Sequence, residues 1–401
     1  HYLTLNRPAN TLSGGESQRI HLATSLSAAL VGSMYILDEP SVGLHPRDAD
    51  QLLGVLQALR DAGNTVIVVE HDDVFMRAAD TVIDIGPGAG RLGGEVVYAG
   101  PGSGLTLAPT LTGDYLSGRK QVGRTALGTE SRHWIELRGA RAQNLKDVTV
   151  RIPLERLTAV CGVSGSGKTT LVRNILVPAL QKLLGEYGGR AGAFDELTGD
   201  WRRISAVEVV DQNPMGKSSR SNPVTYLKAY DDIRNLYAAQ KSAQLRGYAA
   251  KHFSFNTDGG RCPVCQGDGY VTVEMQFMAD VHLKCEQCHG KRFMADVLEV
   301  EFQGKSISDI LELTVDEAME FFAAHQQKKI TDKLRPLADV GLGYIQLGQS
   351  SSTLSGGEAQ RVKLASFLVR GHSADPVLFV FDEPTTGLHM DDVQKLLKSL
   401  D

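Results

Sequence analysis

The sequence predicts an α/β fold built from parts of two related modules, with a zinc-binding module inserted into the second. Three observations predict it: a long internal repeat, a glycine-rich phosphate loop flanked by strand and helix patterns, and two Cys-x-x-Cys pairs. The 401 residues are two to three times the usual size of one domain. Apolar residues at 42% and charged residues at 22% exclude a disordered chain. The sequence has no run of 18 apolar residues, which excludes a helical membrane span. A net charge of −5 excludes nucleic-acid binding through global charge and leaves that role to a local patch. No leader peptide pattern is visible at His1, so the expected compartment is the reducing cytoplasm, where five cysteines favour metal ligation over disulfides.

The repeat sets the organisation. Tyr2–Arg19 (YLTLNRPANTLSGGESQR) recurs at Tyr344–Arg361 (YIQLGQSSSTLSGGEAQR), with ten of the 18 positions identical. Each copy leads to an apolar strand ending in Asp-Glu-Pro, Met34–Pro40 and Leu378–Pro384, and then to a Gly-Leu-His at 43–45 and 387–389. The period is far too long for a solenoid and marks two copies of one α/β module. Between them, Thr65–Glu70 (TVIVVE) reads as a buried parallel strand. Gly100–Glu130, rich in Gly, Ser and Thr without periodicity, reads as a linker. Leu157–Val160 reads as a short strand and Thr170–Leu184 as a helix. From Arg202 the pattern loosens into an insertion reaching Val340, within which Val315–Ala324 is helical. The expected domains are therefore 1–100, part of the first module; 101–131, the linker; 132–201, the phosphate-loop lobe; 202–343, an insertion with a zinc module at 253–293; and 344–401, the end of the second module.

Gly162–Thr169 (GVSGSGKT) matches G-x-x-x-x-G-K-[ST]. In such a loop Gly162, Val163, Ser164, Gly165, Ser166 and Gly167 turn backbone N–H groups toward phosphate, with no Cβ interference at the glycines. Lys168 would reach the β- and γ-phosphates, Thr169 would ligate Mg²⁺, and Thr170 opens the following helix, whose N-terminus favours anions. Asp38-Glu39 and Asp382-Glu383 end apolar strands: the aspartates would hold the Mg²⁺ shell and the glutamates would polarise the attacking water. Ser13, Gly14 and Gly15 in LSGGE, and Ser355, Gly356 and Gly357 in its repeat, each offer a hydroxyl and free N–H groups at a helix start, either as a second anion cradle or as a helix cap. This set resembles the ATP-binding-cassette ATPases. The resemblance implies that the phosphate loop of one module faces the LSGGE of the other, that His71 senses the γ-phosphate, and that Gln212 lies in the loop contacting the nucleotide.

Cys262-x-x-Cys265 and Cys285-x-x-Cys288 stand 19 residues apart, within the spacing of a four-thiolate zinc site. Four sulfurs close the tetrahedron, so the ion would be structural. His282 and His289 are alternative ligands that read better as surface, and Tyr270–Phe277 reads as a half-buried strand. Cys161 reads as a small buried residue. Arg202–Lys251 holds nine Lys or Arg against four acids, a net of +5. Lys217, Arg220, Arg261, Lys291 and Arg292, lying near Tyr226, Phe253, Phe255 and Phe293 in sequence, form a candidate surface for phosphates of DNA, or else a solvated face.

The stretches LSGGESQRIHLA, YILDEPSVGLHPRD, DIGPGAG, CGVSGSGKTTLV, DQNPMGKSSRSNPVTY, FSFNTDGGRCPVCQGDG and LGQSSSTLSGGEAQRVKLA follow one another as in the UvrA family, the damage-sensing ATPases of the bacterial ABC excinuclease. The resemblance implies a dimeric ATPase of nucleotide excision repair that uses ATP, Mg²⁺ and Zn²⁺. It also implies binding of damaged double-stranded DNA and loading of the partner protein UvrB. It further implies that one composite site here is nearly whole, that the other lacks its phosphate loop, and that the chain as it stands hydrolyses ATP poorly. NPMGKSSR at 213–220 departs from the family's usual SPIGRTPR, which leaves a UvrA-like paralogue of drug self-resistance as the alternative. An ABC-F translation factor would carry a charged helical linker and no cysteine pairs, and a transporter ATPase would lack the inserted zinc module. A DnaJ-type zinc domain would repeat its cysteine motif four times.

Overall fold

The computed structural model describes residues 20, 23, 31–123, 131–211, 221–273, 275, 280–370 and 376–400. The fold is mixed α/β, and the chain divides into two compact units. The first holds residues up to Gly88, then Leu92–Asp211 and Ala374–Asp401; the second holds Ala89–Arg91 and Gln212–Ser373.

In the first unit, β1 (Met34–Asp38) pairs in parallel with β2 (Thr65–Val69). The crossover between them is α1 (Pro46–Asp61), as a parallel pair requires. Proline at the first turn of α1 costs no hydrogen bond there, and Ala49, Leu52 and Leu56 bury one stripe of α1 against Leu37, Val66 and Val68. The opposite face of this sheet is open: Met34 and Ile36 are 63% and 67% exposed, and Ile67 and Val69 lie beside them. Thr65–Glu70 thus contains a parallel strand as expected, but one covered on a single face. α2 (Asp73–Ala78) is capped by the Asp72 carboxylate, which accepts from Val74 N at 2.8 Å. β3 (Thr81–Gly86) and β4 (Glu95–Pro101) form an antiparallel pair.

The expected linker is folded over its described part. A short helical turn at Gly102–Leu105 and α3 (Leu111–Leu116) bury Leu105, Ala108 and Leu116, and Thr110 caps α3. Glycine and threonine serve here as caps and close contacts: a Cβ on Gly113 would run into the carbonyls of Ala108 and Leu105.

Next comes an antiparallel sheet in the order β6 (Val148–Pro153), β5 (Trp134–Ala140), β7 (Glu196–Gly199). Its register shifts between Leu137 and Ala140, where Gly139 takes φ +67. Residues 157–160 form no strand. A strand needs a ladder partner, and among the described residues none pairs with this stretch, so Leu157 and Val160 stay more than 40% exposed. For the same reason Cys161 is exposed and not buried.

The helix after the phosphate loop is present, but Thr170–Leu176 is wound as a π-helix before α4 (Val177–Leu183). Pro178 has no N–H for the carbonyl of Asn174, and that carbonyl accepts from Gly192 N at 2.8 Å instead. β8 (Ala206–Val210) lies inside the stretch expected to be loosened insertion. It pairs in parallel with β11 (Val377–Phe381), the strand leading to the second Asp-Glu-Pro. Ile135, Leu137, Ile175, Leu180, Val207 and Val380 form the core beneath these elements. α9 (Met390–Leu400) follows β11.

The second unit contains α5 (Ala229–Ala238), the hairpin of β9 (Tyr270–Val273) and β10 (Val281–Lys284), α6 (Val315–Ala324), α7 (Lys328–Asp339) and α8 (Gly356–Arg370). Its core includes Tyr237, Phe253, Phe255, Phe293 and Phe322, none more than 1% exposed. The sequence pattern sets Phe253, Phe255 and Phe293 beside a DNA surface; the structure uses all three as interior packing. The expected half-buried strand Tyr270–Phe277 is described as β9 over Tyr270–Val273, where every residue is exposed, as in β10; Glu274, Gln276 and Phe277 lie outside the described residues. The apolar alternation of β9 covers nothing within the unit. No described helix is long and apolar enough to cross a membrane.

The contrast between the covered and open strand faces is measurable. Ile175→Ala should cost about 2–5 kcal/mol by denaturant unfolding of the chain. Ile36→Ser, on the open face, should cost under about 1 kcal/mol. Equal costs would contradict the burial pattern.

Candidate functional site

The phosphate loop is held by its own backbone. Ser166 N donates to Val163 O at 3.1 Å, Leu171 N to Gly167 O at 2.9 Å, and Asn144 Nδ2 to Gly165 O at 2.9 Å. Gly165 and Gly167 take φ +77 and +103, and a Cβ on Gly167 would meet Asn144 and Leu145 at 2.9 Å. Only glycine fits there. Lys168 folds back over the loop, its Nζ donating to Gly162 O at 2.8 Å and Val163 O at 3.1 Å. Ser164 Oγ lies 3.5 Å from Gly43 O, in the Gly-Leu-His loop of the first repeat.

The two strand-end acid pairs are built alike. Glu39 and Glu383 both take left-handed backbone, φ +44 and +48. In each copy the turn then closes in the same way: Val42 N and Thr386 N donate to Glu39 O and Glu383 O, both at 3.2 Å. His45 and His389 next cap α1 and α9, their Nδ1 atoms accepting from Arg47 N at 3.3 Å and Asp391 N at 3.2 Å. Desolvation raises the Glu383 pKa, Asp382 raises it further, and the Lys168 charge partly offsets both. Asp382 Oδ2 accepts from Arg173 at 3.0 Å, whereas Asp38 is exposed at the end of β1. His71 Nε2 lies 3.1 Å from Glu39 Oε1, so the switch histidine and the candidate catalytic carboxylate of the first repeat are in contact. Glu70 braces that corner, accepting from Ser41 N at 2.7 Å and His71 N at 3.0 Å.

Some neighbours are invisible to pattern reading. A Cβ on Gly387 would lie 3.1 Å from Glu39 Oε1, so the second repeat's loop rests on the first repeat's acid pair. Beside it, His389 Nε2, Thr112 Oγ1 and Asp84 Oδ1 form a chain with steps of 3.2 and 2.9 Å. Because His389 Nδ1 accepts from Asp391 N, the neutral ring carries its proton on Nε2 and donates to Thr112, which donates to Asp84. Burial lowers the His389 pKa, against the opposing pull of Asp392, Asp391 and Asp84, and so favours the neutral ring. Thr112 belongs to no motif, and Asp84 opens the DIGPGAG stretch without any local sign of this partnership.

In the second unit Ser355 caps α8 through a reciprocal pair: Ser355 N donates to Glu358 Oε2 at 2.8 Å, and Glu358 N to Ser355 Oγ at 3.2 Å. Ser355 and Gly356 are exposed and Gly357 half-buried, so the cap leaves this corner open to a ligand. Ser13, Gly14, Gly15, Gln212, Lys217 and Arg220 lie outside the described residues.

The four cysteines come together as their spacing predicts. Their sulfurs all lie within 4.8 Å of one another, with Cys262–Cys285 at 3.9 Å and Cys265–Cys288 at 3.6 Å. A tetrahedral ion with Zn–S bonds of about 2.3 Å needs edges of about 3.8 Å, so the donor set fits zinc. The two knuckles share one backbone device. The residue after each second cysteine, Gln266 and His289, takes positive φ, as does the glycine that follows, Gly267 and Gly290. A Cβ on Gly267 would overlap the Phe255 carbonyl. Gly269 N donates to Cys265 Sγ at 3.2 Å. His282 pairs with Thr272 across the exposed hairpin, and His289 is exposed, so neither joins the cluster.

Two of the cations expected on a DNA surface are engaged elsewhere. The Arg261 side chain is 14% exposed; it pairs with Asp258 at 2.7 Å and reaches the carbonyls of Asn256 and Gln266. Arg292 lies over the Phe255 ring at 5.7 Å, and burial lowers its pKa. Both brace the zinc module from within. Lys291 is exposed.

The geometry makes two measurable demands. The purified chain should contain one zinc per molecule in an all-sulfur shell, and Cys285→Ser should release it together with the order of the knuckles; elemental analysis and X-ray absorption read this directly. Glu383 carries a raised pKa, so its contribution to stability is present below its unfolded pKa near 4.5 and lost as pH rises through the folded value. Glu383→Gln should therefore leave the chain at least as stable at pH 8, with the difference from wild type vanishing below pH 4.5, as followed by thermal melts.

No family model matches the chain. It is 51% identical over all 401 residues to UvrABC system protein A of Staphylococcus epidermidis, and 50% identical over 405 aligned residues to that of Listeria monocytogenes. It covers 42% of the length of each. Its fold matches the crystal structure of UvrA2 from Deinococcus radiodurans with a TM-score of 0.91 and 48% identity, over all of this chain and 48% of that one. From end to end, then, the chain is similar to a segment of the UvrA proteins, with a mixed α/β fold that matches the UvrA2 structure and a four-cysteine cluster suited to zinc.

Proposed function

We propose that the chain forms a nucleotide-binding and DNA-facing segment of the ATP-dependent damage-recognition component of the UvrABC system. In this reading it acts in the cytoplasm as part of a homodimer that binds distorted duplex DNA and loads UvrB. The observation that carries the reading is the junction of the phosphate loop with the strand-end acids: Arg173, on the turn that leaves the loop, donates to Asp382 Oδ2 at 3.0 Å, and the Lys168 charge partly offsets the raised pKa of Glu383.

Each residue has a task there. The phosphate loop, Gly162–Thr169 with Thr170, binds the phosphates through N–H groups, and Lys168 swings from the loop carbonyls to the β- and γ-oxygens. Thr169 and Asp382 are the groups suited to hold Mg²⁺, which when bound spreads the charge developing on the phosphates. Glu383 accepts a hydrogen bond from the attacking water; desolvation raises its pKa and so makes it a stronger base than a free carboxylate. Asp38, Glu39 and His71 form the matching half-site of the first repeat. Ser355, Gly356 and Gly357, and Ser13, Gly14 and Gly15 in the other copy, offer N–H groups to a phosphate from a facing module, and Gln212 senses it.

Lys168→Ala in the complete protein should abolish nucleotide binding at this site. Glu383→Gln should keep binding and slow hydrolysis by at least about a hundredfold. Wild-type hydrolysis by Glu383→Gln would remove it from the catalytic role. For DNA, the exposed Lys291 and the pair Lys217 and Arg220 are the proposed phosphate contacts, because a damage sensor must read deformability in any sequence. Alanine at both Lys217 and Arg220 should flatten the slope of log affinity against log salt by about one to two units. An unchanged slope would take both off the DNA surface.

A further inference from the structure

We propose that Arg173 is a counter-ion latch on the nucleotide site, holding the strand-end carboxylates until a divalent cation displaces it. This inference rests on the nucleotide-binding reading above and adds to it a residue outside every motif.

β8 and β11 run in parallel with Val210 opposite Phe381, so the next residues, Asp211 and Asp382, leave the same end of the same sheet side by side. Asp382 N donates to Val210 O at 3.2 Å, which fixes that spacing. Neighbouring strands lie roughly 4.8 Å apart, close enough for two carboxylates to repel. Arg173, in the π-wound turn that follows the phosphate loop, spans them: Nη1 reaches Asp382 Oδ2 at 3.0 Å and Nη2 reaches Asp211 Oδ2 at 3.3 Å. The guanidinium gives each carboxylate its own nitrogen from a rigid fork, whereas a lysine would have to share one nitrogen between the two.

The latch sits at the edge of water. Side-chain exposures are 36% for Arg173, 34% for Asp382 and 18% for Asp211. Such a pair is screened and exchangeable, unlike a buried bridge whose rupture would cost the fold. A divalent cation held by Asp382 competes for the oxygen that Arg173 occupies. Arg173 therefore neutralises the acid pair and raises the cation concentration needed to displace it. Because it stands on the segment running out of the phosphate loop, its release links cation entry to that loop.

The test is a Mn²⁺ titration of the 401-residue chain without nucleotide, read by electron paramagnetic resonance. Arg173→Gln should bind Mn²⁺ about two- to fivefold tighter than wild type at low salt, the size expected for a half-exposed ion pair. The gain should shrink in about 0.5 M salt and vanish when Asp382→Asn is added. Equal affinity in wild type and Arg173→Gln overturns the latch, and so does a gain that survives Asp382→Asn. If thermal melts show that Arg173→Gln does not fold, Arg173→Lys is read instead: a gain of about twofold supports the latch, and no gain overturns it. Binding of a fluorescent ATP analogue by wild type and Lys168→Ala tests the nucleotide reading separately, and its failure leaves the Mn²⁺ comparison standing.

Discussion

The layout of the first unit depends on one turn, made twice. After β1 and after β11 the chain must leave a parallel strand, present two carboxylates and enter a helix within a few residues. It does so by holding Glu39 and Glu383 at left-handed φ immediately before proline. That conformation costs a non-glycine residue roughly 1–2 kcal/mol. The cost is offset by the 3.2 Å turn bonds, by strand-end bonds such as Glu39 N to Val69 O, and by histidine caps on α1 and α9. Once the turn is closed, each glutamate side chain has little choice of direction. One meets His71 and the other comes under the field of Lys168.

Charge in this unit is arranged as local neutralisation. The acid pair at Asp211 and Asp382 is met by a guanidinium, Glu70 by backbone N–H groups, and Asp84 by a hydroxyl that a histidine feeds in turn. The guanidinium pair reaches solvent, with Arg173 36% and Asp382 34% exposed, whereas the Thr112 hydroxyl is buried. In the second unit Arg261 and Arg292 play the opposite part. Tied into the knuckles, they brace the thiol cluster and are withdrawn from the surface.

Much of this was legible in the sequence because it lies in short, contiguous patterns with a fixed mechanism. The glycines of the phosphate loop, the Asp-Glu-Pro turns, the Ser355 cap and the Cys-x-x-Cys pairs each carry their geometry within a few residues. The misreadings have a common cause. Leu157–Val160 has the composition of a strand but no ladder partner; Tyr270–Val273 alternates but lies over no core; Phe253, Phe255 and Phe293 sit among cations in sequence but pack inward. Whether a pattern is covered depends on distant chain, which local composition does not encode. Arg173 and Thr112 escape pattern reading for the same reason, since each acquires meaning only from a residue 28 to 277 positions away.

The strand leading into each turn shows what an identical motif can hide. In the second copy Leu378 and Val380 pack onto the segment behind the phosphate loop, whereas the matching Met34 and Ile36 in the first copy face water beside Ile67 and Val69. Four apolar side chains in a row on a pleated surface form an adhesive patch of the kind that binds hydrophobic dyes and recruits other strands.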